Sequence, residues 1–447
     1  MTSSRILQLG IRAGRGRTSG LGAGLADAVV VGGGIGAVRA AAALRAAGRS
    51  VVLVQEGADV AGLAHPDIPV GTGFECFESV PADWRAIRGM TTGLCVGGAV
   101  RALPLSRGVL PTLLPTLQVV SALAEWGRTR VSSELARLIG GGHEQRSYRD
   151  WVVQHYGEPL FARLFEPYCE RRFGEASGVS ANVARAVHGA SAGGVFASPS
   201  GGRARELALL LEGVEVVCGA DVVGLAAGVV RLSSADVEGE VYVDLPPARV
   251  VGLLGDAAPS GLASEVGWLR FRHALEVTFS GGAALPWVTH VVDGPGQAFR
   301  LVRHGLFPGN GALQGTVSVQ MAVEEGDPLW KADDGRVVEA ARMALGDVAA
   351  DVSTVGARVQ RVANHHPVWV TTTAARMRQL ALALGELNIT PVGRAGTYAP
   401  LSGAGERAYL DDVIHRRVSI REALRQHVEP AVVVDEPRAH LTDFANA

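Results

Sequence analysis

The sequence predicts an α/β fold, and three observations carry that expectation. Residues 27–56 run from a β-branched stretch through a cluster of glycines into an alanine-rich helix former and a second β-branched stretch. Residues 119–185 bring apolar side chains round at helical spacing, and residues 267–325 alternate apolar with polar. The first pattern reads as strand, turn, helix and strand, the second as helices, and the third as an antiparallel sheet with one face on a core.

Within 27–56 the β-run Val29, Val30, Val31 meets Gly32, Gly33, Gly34 and Gly36, and the helix former extends to Ala47. The second run covers 51–54 and closes on Glu56. The spacing Gly32-x-Gly34-x-x-Ala37 is the alanine-ended form of a dinucleotide turn. Glycines there let the backbone approach a pyrophosphate, whose charge is met by unpaired N–H groups and the positive end of the helix dipole. Glu56 stands where a carboxylate accepts hydrogen bonds from both hydroxyls of an adenosine ribose. It would repel a 2′-phosphate, so FAD or NAD fits better than NADP.

A chain of 447 residues allows two or three domains and a large core, and 47% hydrophobic residues with 19% charged fit that size. With 42 basic and 44 acidic residues the net charge is −2. No global field favours nucleic acid or an anionic membrane surface, which points to a small-molecule substrate. Cys76, Cys95, Cys169 and Cys218 lie far apart and form no CxxC pair. A disulfide framework or metal site is not expected, and a reducing, cytoplasmic compartment is.

Residues 1–26 carry Arg5, Arg12, Arg15 and Arg17 and no acid, and read as a disordered leader. No apolar run is long enough to span a bilayer. The nearest, 109–126, is interrupted by Pro111 and Pro115 and reads as a buried amphipathic helix or a gate for an apolar substrate. Further on, 96–105 predicts a short hairpin and 143–174 is the densest helical stretch, with Trp151, Val152, Tyr156, Leu160, Phe161, Leu164 and Phe165 at helical spacing. Residues 196–211 give a glycine turn into a helix, and the β-rich stretches within 214–246 predict a meander. Residues 334–345 predict a helix, and 359–394 strand, loop, helix, strand and a second glycine turn. Residues after Pro430 read as a loose tail.

Several segments in order carry a family resemblance from about Asp27 to Ile414: the opening βαβ unit, SYRDWVVQHYGEPLFARLFEPYCERRFG, SPSGG before a helix, GDPLW, HHPVWV, and VGRAGTY followed by AYLDD. The chain resembles the flavoprotein group that contains UDP-galactopyranose mutase, protoporphyrinogen oxidase and related amine-oxidase-like enzymes. The resemblance implies FAD in a discontinuous Rossmann-like domain over 27–100, 190–255 and 359–428, a helical cap over 101–189, and a mixed or antiparallel-sheet substrate domain over 256–358. It implies that Gly32, Gly34 and Gly36 approach the pyrophosphate and Glu56 the ribose. Val222 would meet the adenine through its backbone, and Gly393 and Arg394 would make the second flavin contact. The family pattern is broken in three places. Leu63 follows Gly62 where a paired glycine is usual, GTGFECF lacks the flavin-facing histidines of the sugar mutases, and APLSGAGER separates Tyr398 from Tyr409.

With FAD bound, the cofactor carries the difficult chemistry, and an oxidase or dehydrogenase needs no obligatory side-chain base if the substrate arrives neutral. Candidate substrate-cavity residues are Tyr168, Arg171, Arg300, His366, Trp369 and Tyr398; His365 and His366, as strand neighbours, would point to opposite sides. Three functions stay open at this point. One is an FAD-dependent oxidoreductase in a specialised biosynthetic pathway. Another is a redox-neutral nucleotide-sugar mutase, using Arg171, Arg300 and Arg394 as phosphate clamps. The third is a non-catalytic homologue serving as a binding subunit.

Overall fold

The structure is a computed structural model, and it describes residues 12–13, 24–57, 75–77, 80, 83–87, 91–103, 120–121, 124–125, 127–128, 147–185, 187, 195–200, 202–281, 284–304, 315–349, 351–399, 403–415 and 418–427. The expected loop around Gly62 and Leu63 lies outside these residues, as do most of 109–126 and the tail after Pro430. The chain divides into two compact units. The first takes the described residues of Met1–Glu75, Pro199–Arg270 and Thr372–Ala431, and the second those of Cys76–Ser198 and Phe271–Thr371.

The first unit is built on a mixed sheet whose central strands, Gly24–Val31 and Asp236–Val243, run parallel with Val29 opposite Val241. Val51–Gln55 and Glu215–Cys218 continue the parallel order on one side. On the far edge of Asp236–Val243, the strand Val229–Leu232 pairs with its first half antiparallel, and Ile389–Pro391 pairs with its second half parallel. Ala28, Val29, Val30, Val31 and Leu53 are fully buried, as a sheet covered on both faces requires. The Ile35–Ala46 helix is rich in alanine and buries Gly36, Ala37, Val38, Arg39, Ala40, Ala41 and Leu44, because small side chains let it lie close on the strands. The first central strand starts at Gly24, and Arg12–Ala13 pairs with Val217 and Cys218.

The second unit holds a seven-stranded sheet in the order Ser353–Pro367, Phe271–Ser280, Thr316–Val323, Ala298–Arg303, Val288–Val291, Thr92–Val96 and Ala99–Leu103. The expected hairpin forms between the last two, where Gly97 and Gly98 both take positive φ (59° and 73°) as a two-residue turn demands. Strand alternation sends Leu275, Val277, Phe279, Val317, Val319 and Met321 to one face, against Val337, Ala341 and Leu345 of the Asp334–Leu345 helix. The opposite face carries Glu276, Thr278, Ser318 and Gln320, paired Glu276 to Gln320 and Thr278 to Ser318.

Helices expected across the middle of the chain are present at Tyr148–Tyr156 and Glu166–Arg172, with a wide π turn over Phe161–Phe165 between them. A capping box of Ser147 and Asp150 starts the first, and Gly157 at φ 82° stops it. The Glu166–Arg172 helix packs on strands Ala298–Arg303 and Thr316–Val323, so these helices and the sheet share one unit. Ser180 N–H donates to the Trp369 carbonyl at 2.7 Å, tying the helical segment to the chain just past the long strand Ser353–Pro367.

Candidate functional site

In the first unit the predicted glycines surround Asp244. Gly32 has φ 142°, and a Cβ placed on it would stand 2.8 Å from the Asp244 carbonyl oxygen and 2.9 Å from its Cβ. A Cβ on Gly34 would stand 2.8 Å from Asp244 Oδ2, and one on Gly36 would overlap the Gly393 backbone. Gly393 itself has φ 64° and faces the same carboxyl group. The glycines are therefore needed here because an aspartate closes the strand end beneath them.

The Asp244 carboxyl is buried and takes backbone N–H donors from both helix starts. Ala37 N donates to Oδ2 at 3.0 Å, Ala395 N to Oδ1 at 3.2 Å, and Gly396 N also donates to the carboxyl. Two helix amino termini, Ile35–Ala46 and Gly393–Thr397, thus converge on one acidic group. Burial first, and then the neighbouring Glu406, push this carboxyl up to about 7 against the pull of those donors. Glu406 accepts from Arg39 NH1 at 2.8 Å, and Arg39 also lies 3.9 Å from Glu206, all three side chains being buried. Glu406 comes from the segment that separates Tyr398 from Tyr409 in sequence. Its later half is the start of the Gly403–Ile414 helix, so the insertion supplies a buried acid to the glycine turn.

At the end of the adjacent strand, Glu56 is paired with Arg249, whose NH2 also donates to the Val222 carbonyl at 3.1 Å. The two residues expected at an adenosine are thereby brought together, bridged by an arginine the sequence did not single out. Arg394 sits in the short second helix with its side chain exposed. Tyr398 is fully buried at φ 49°, and its hydroxyl donates to the Arg270 carbonyl.

The remaining candidates lie in the second unit. Tyr168 is buried, its hydroxyl lying 3.1 Å from His290 Nδ1 and accepting from Arg172 NH1 at 2.7 Å. Arg172 also lies over the rings of Phe173 and Phe299. Arg300 Nε donates to Gln320 Oε1 at 2.7 Å, and Gln320 Nε2 to Glu276 Oε2 at 3.1 Å. Beside them His304 Nε2 lies 2.7 Å from Ser318 Oγ, which is 2.7 Å from Thr278 Oγ1. Arg171, by contrast, donates to the carbonyls of Gly294, Gly296 and Ala298, and so holds a loop. It borders an open cleft of about 370 Å³ with Arg272, Asp293 and Gln297. Trp369 is buried. His365 and His366 do not point apart as strand neighbours would. Asn364 at φ 54° breaks the alternation, and the two rings meet with centroids 4.1 Å apart.

Burial pushes the Glu276 carboxyl up to about 7, and burial together with the Arg300 charge holds the His304 imidazole down at about 4. Although His304 Nε2 lies 3.9 Å from Glu276 Oε1, a neutral imidazole makes this a polar contact and not an ion pair. Folding consequently binds protons at Asp244 and Glu276 that the unfolded chain has released. The stability due to the neutral carboxyls is full below about pH 4 and is lost as pH rises through about 7. Glu276→Gln is expected to raise stability at pH 8 by on the order of 2 kcal/mol, with little change at pH 5. Urea unfolding at the two pH values checks this, and an equal effect at both would refute it.

No protein-family model matches the chain, and no curated protein sequence does. Solved structures do. A reduced UDP-galactopyranose mutase superposes with a TM-score of 0.67 at 11% identity, covering 90% of this chain and 97% of the other. A protein from Exiguobacterium sp. 255-15 assigned as a protoporphyrinogen oxidase gives 0.58 at 15% identity, with 89% and 100% covered. A double mutant of putrescine oxidase with redesigned cofactor binding gives 0.54 at 13% identity, with 92% and 99% covered. The mixed α/β architecture described above is thus the fold of these mutase and oxidase structures.

Proposed function

We propose that this chain is an FAD-dependent oxidoreductase of the amine oxidase and protoporphyrinogen oxidase type, acting in the cytoplasm on a small organic substrate of a specialised biosynthetic pathway. The observation that carries the reading is the glycine turn from the parallel strand Gly24–Val31 into the Ile35–Ala46 helix, with Glu56 at the end of the adjacent parallel strand joined through Arg249 to the Val222 carbonyl. The residues fit the group except at Asp244. Gly32, Gly34, Gly36 and Gly393 bring the backbone of both helix starts close together, Glu56 suits a ribose and Arg394 is exposed at the start of the second helix, while the Asp244 carboxyl takes the N–H groups that a diphosphate would use. When bound, the flavin supplies the hydride acceptor.

The chain's own part is positioning and charge. In the second unit Tyr168, held by Arg172 and His290, and Arg300, held by Gln320, offer polar groups in fixed orientation. Glu276 is held near neutrality, so it is able to take or give a proton at its carboxyl oxygen. A redox-neutral mutase is the second reading, favoured by the superposition on UDP-galactopyranose mutase. It is weakened because Arg171 spends its donors on carbonyl oxygens and so is not available as a phosphate clamp.

The purified protein is expected to show flavin absorption bands and to be bleached anaerobically by an oxidisable amine or related substrate. A flavin active only when pre-reduced, with no net electron transfer, would favour the mutase. Glu56→Ala is expected to weaken FAD retention about tenfold, a loss of about 1.4 kcal/mol. Undiminished retention on gel filtration would remove Glu56 from the site.

A further inference from the structure

We propose that Asp244 is a built-in anion that competes with the diphosphate of a bound dinucleotide for the backbone N–H groups of Ala37, Ala395 and Gly396, so that uptake of FAD requires this carboxylate to be neutralised or moved. The inference rests on the flavin reading above and concerns how the same site is controlled.

The argument starts from the donors. A diphosphate in a glycine turn is held by N–H groups at helix starts, and in this chain those of Ala37, Ala395 and Gly396 are already given to Asp244. Space comes next. Asp244 Oδ2 lies 2.8 Å from where a Gly34 Cβ would be and 3.0 Å from where a Gly36 Cβ would be, so the carboxyl fills the room that the glycines leave. Charge comes last. The groups facing it are Glu406 from the Gly403–Ile414 helix, Arg39 from the Ile35–Ala46 helix and, behind Arg39, Glu206 from the Arg203–Leu210 helix. On the Gly393–Thr397 helix Arg394 is exposed. Arg39 is shared by two carboxylates, and Glu406 adds to burial in disfavouring negative charge on Asp244 before any phosphate arrives. An ionised Asp244 repels a diphosphate, whereas a neutral one is able to donate a hydrogen bond to it. The carboxyl sits at about 7, where neutral and charged forms are both populated near physiological pH.

The test uses the full-length chain, stripped of flavin, with Asp244→Asn and Asp244→Ala as variants and circular dichroism to confirm folding. Titration with FAD, followed by flavin fluorescence, is expected to show Asp244→Asn binding at least about tenfold tighter than the parent at pH 8. The gap should narrow at pH 6, with the affinity of Asp244→Asn flat across the range. Equal affinities at pH 8, or weaker binding by both variants, would overturn the role of Asp244 and leave the flavin reading standing. Should none of the three proteins take up FAD, the flavin reading falls. The competition is then decided by inorganic pyrophosphate, which is expected to raise the melting temperature of Asp244→Ala and not of the parent. No shift in Asp244→Ala would overturn it.

Discussion

Arg39→Met is expected to cost the first unit about 3–5 kcal/mol, because it leaves buried carboxylates without their cation. Arg39 is only 7% exposed, and it holds Glu406 at 2.8 Å with Glu206 at 3.9 Å. Methionine fills much of the same volume, so the loss would come from charge and not from a cavity. Both acids lie in helices packed on the Ile35–Ala46 helix, and Asp244 is a third carboxyl in the same group. The double variant Arg39→Met with Glu406→Gln should recover part of the loss, since one uncompensated charge is gone. Chemical denaturation of the four proteins measures this coupling. A single-variant cost under about 1 kcal/mol would mean that water reaches the cluster and screens it.

The other large effect is expected at Gly396. A side chain there would run into the Val243 carbonyl oxygen, which already accepts from Val392 N at 2.8 Å. The atoms it would meet are all backbone, of Val243 and Asp244 at the end of the central strand, so nothing flexible can yield and Gly396→Ala should cost about 3 kcal/mol by forcing the short helix off that strand. Gly385 is the control. It lies in the Thr373–Glu386 helix with open space where its Cβ would be, and Gly385→Ala should be neutral or stabilise by up to about 1 kcal/mol. Melting temperatures of the two variants compare the effects directly. If Gly396→Ala melts with the parent, the close packing of helix on strand is refuted.

Much of the fold was legible because its signals are local. The Asp334–Leu345 helix, the hairpin around Gly97 and Gly98 and the βαβ opening each follow from side-chain spacing or backbone freedom within a few residues. The candidate site was legible only in part. Gly32, Gly34, Gly36 and Gly393 are legible because glycine announces a close approach, but the sequence does not show that Asp244 is among the groups they approach. In VYVDLPP, Asp244 reads as a polar residue between a strand and a proline turn. In an alanine-rich helix Arg39 reads as its solvent face, yet it is buried. Arg249 and Glu276 gave no local signal either, and the paired histidines departed from simple strand alternation because of one left-handed residue, Asn364.

The amino-acid order by itself determined the parallel core with its glycine turn, the antiparallel sheet and the helices that accompany it, since each depends on neighbours a few positions away. What occupies the turn was decided only by tertiary structure. The Asp244 carboxyl meets Ala37 from 207 positions away, and Arg39 meets Glu406 from 367 away. The ionisation and hydrogen bonding of a buried charge depend on the groups that folding places around it, and no periodicity in the chain encodes that assembly.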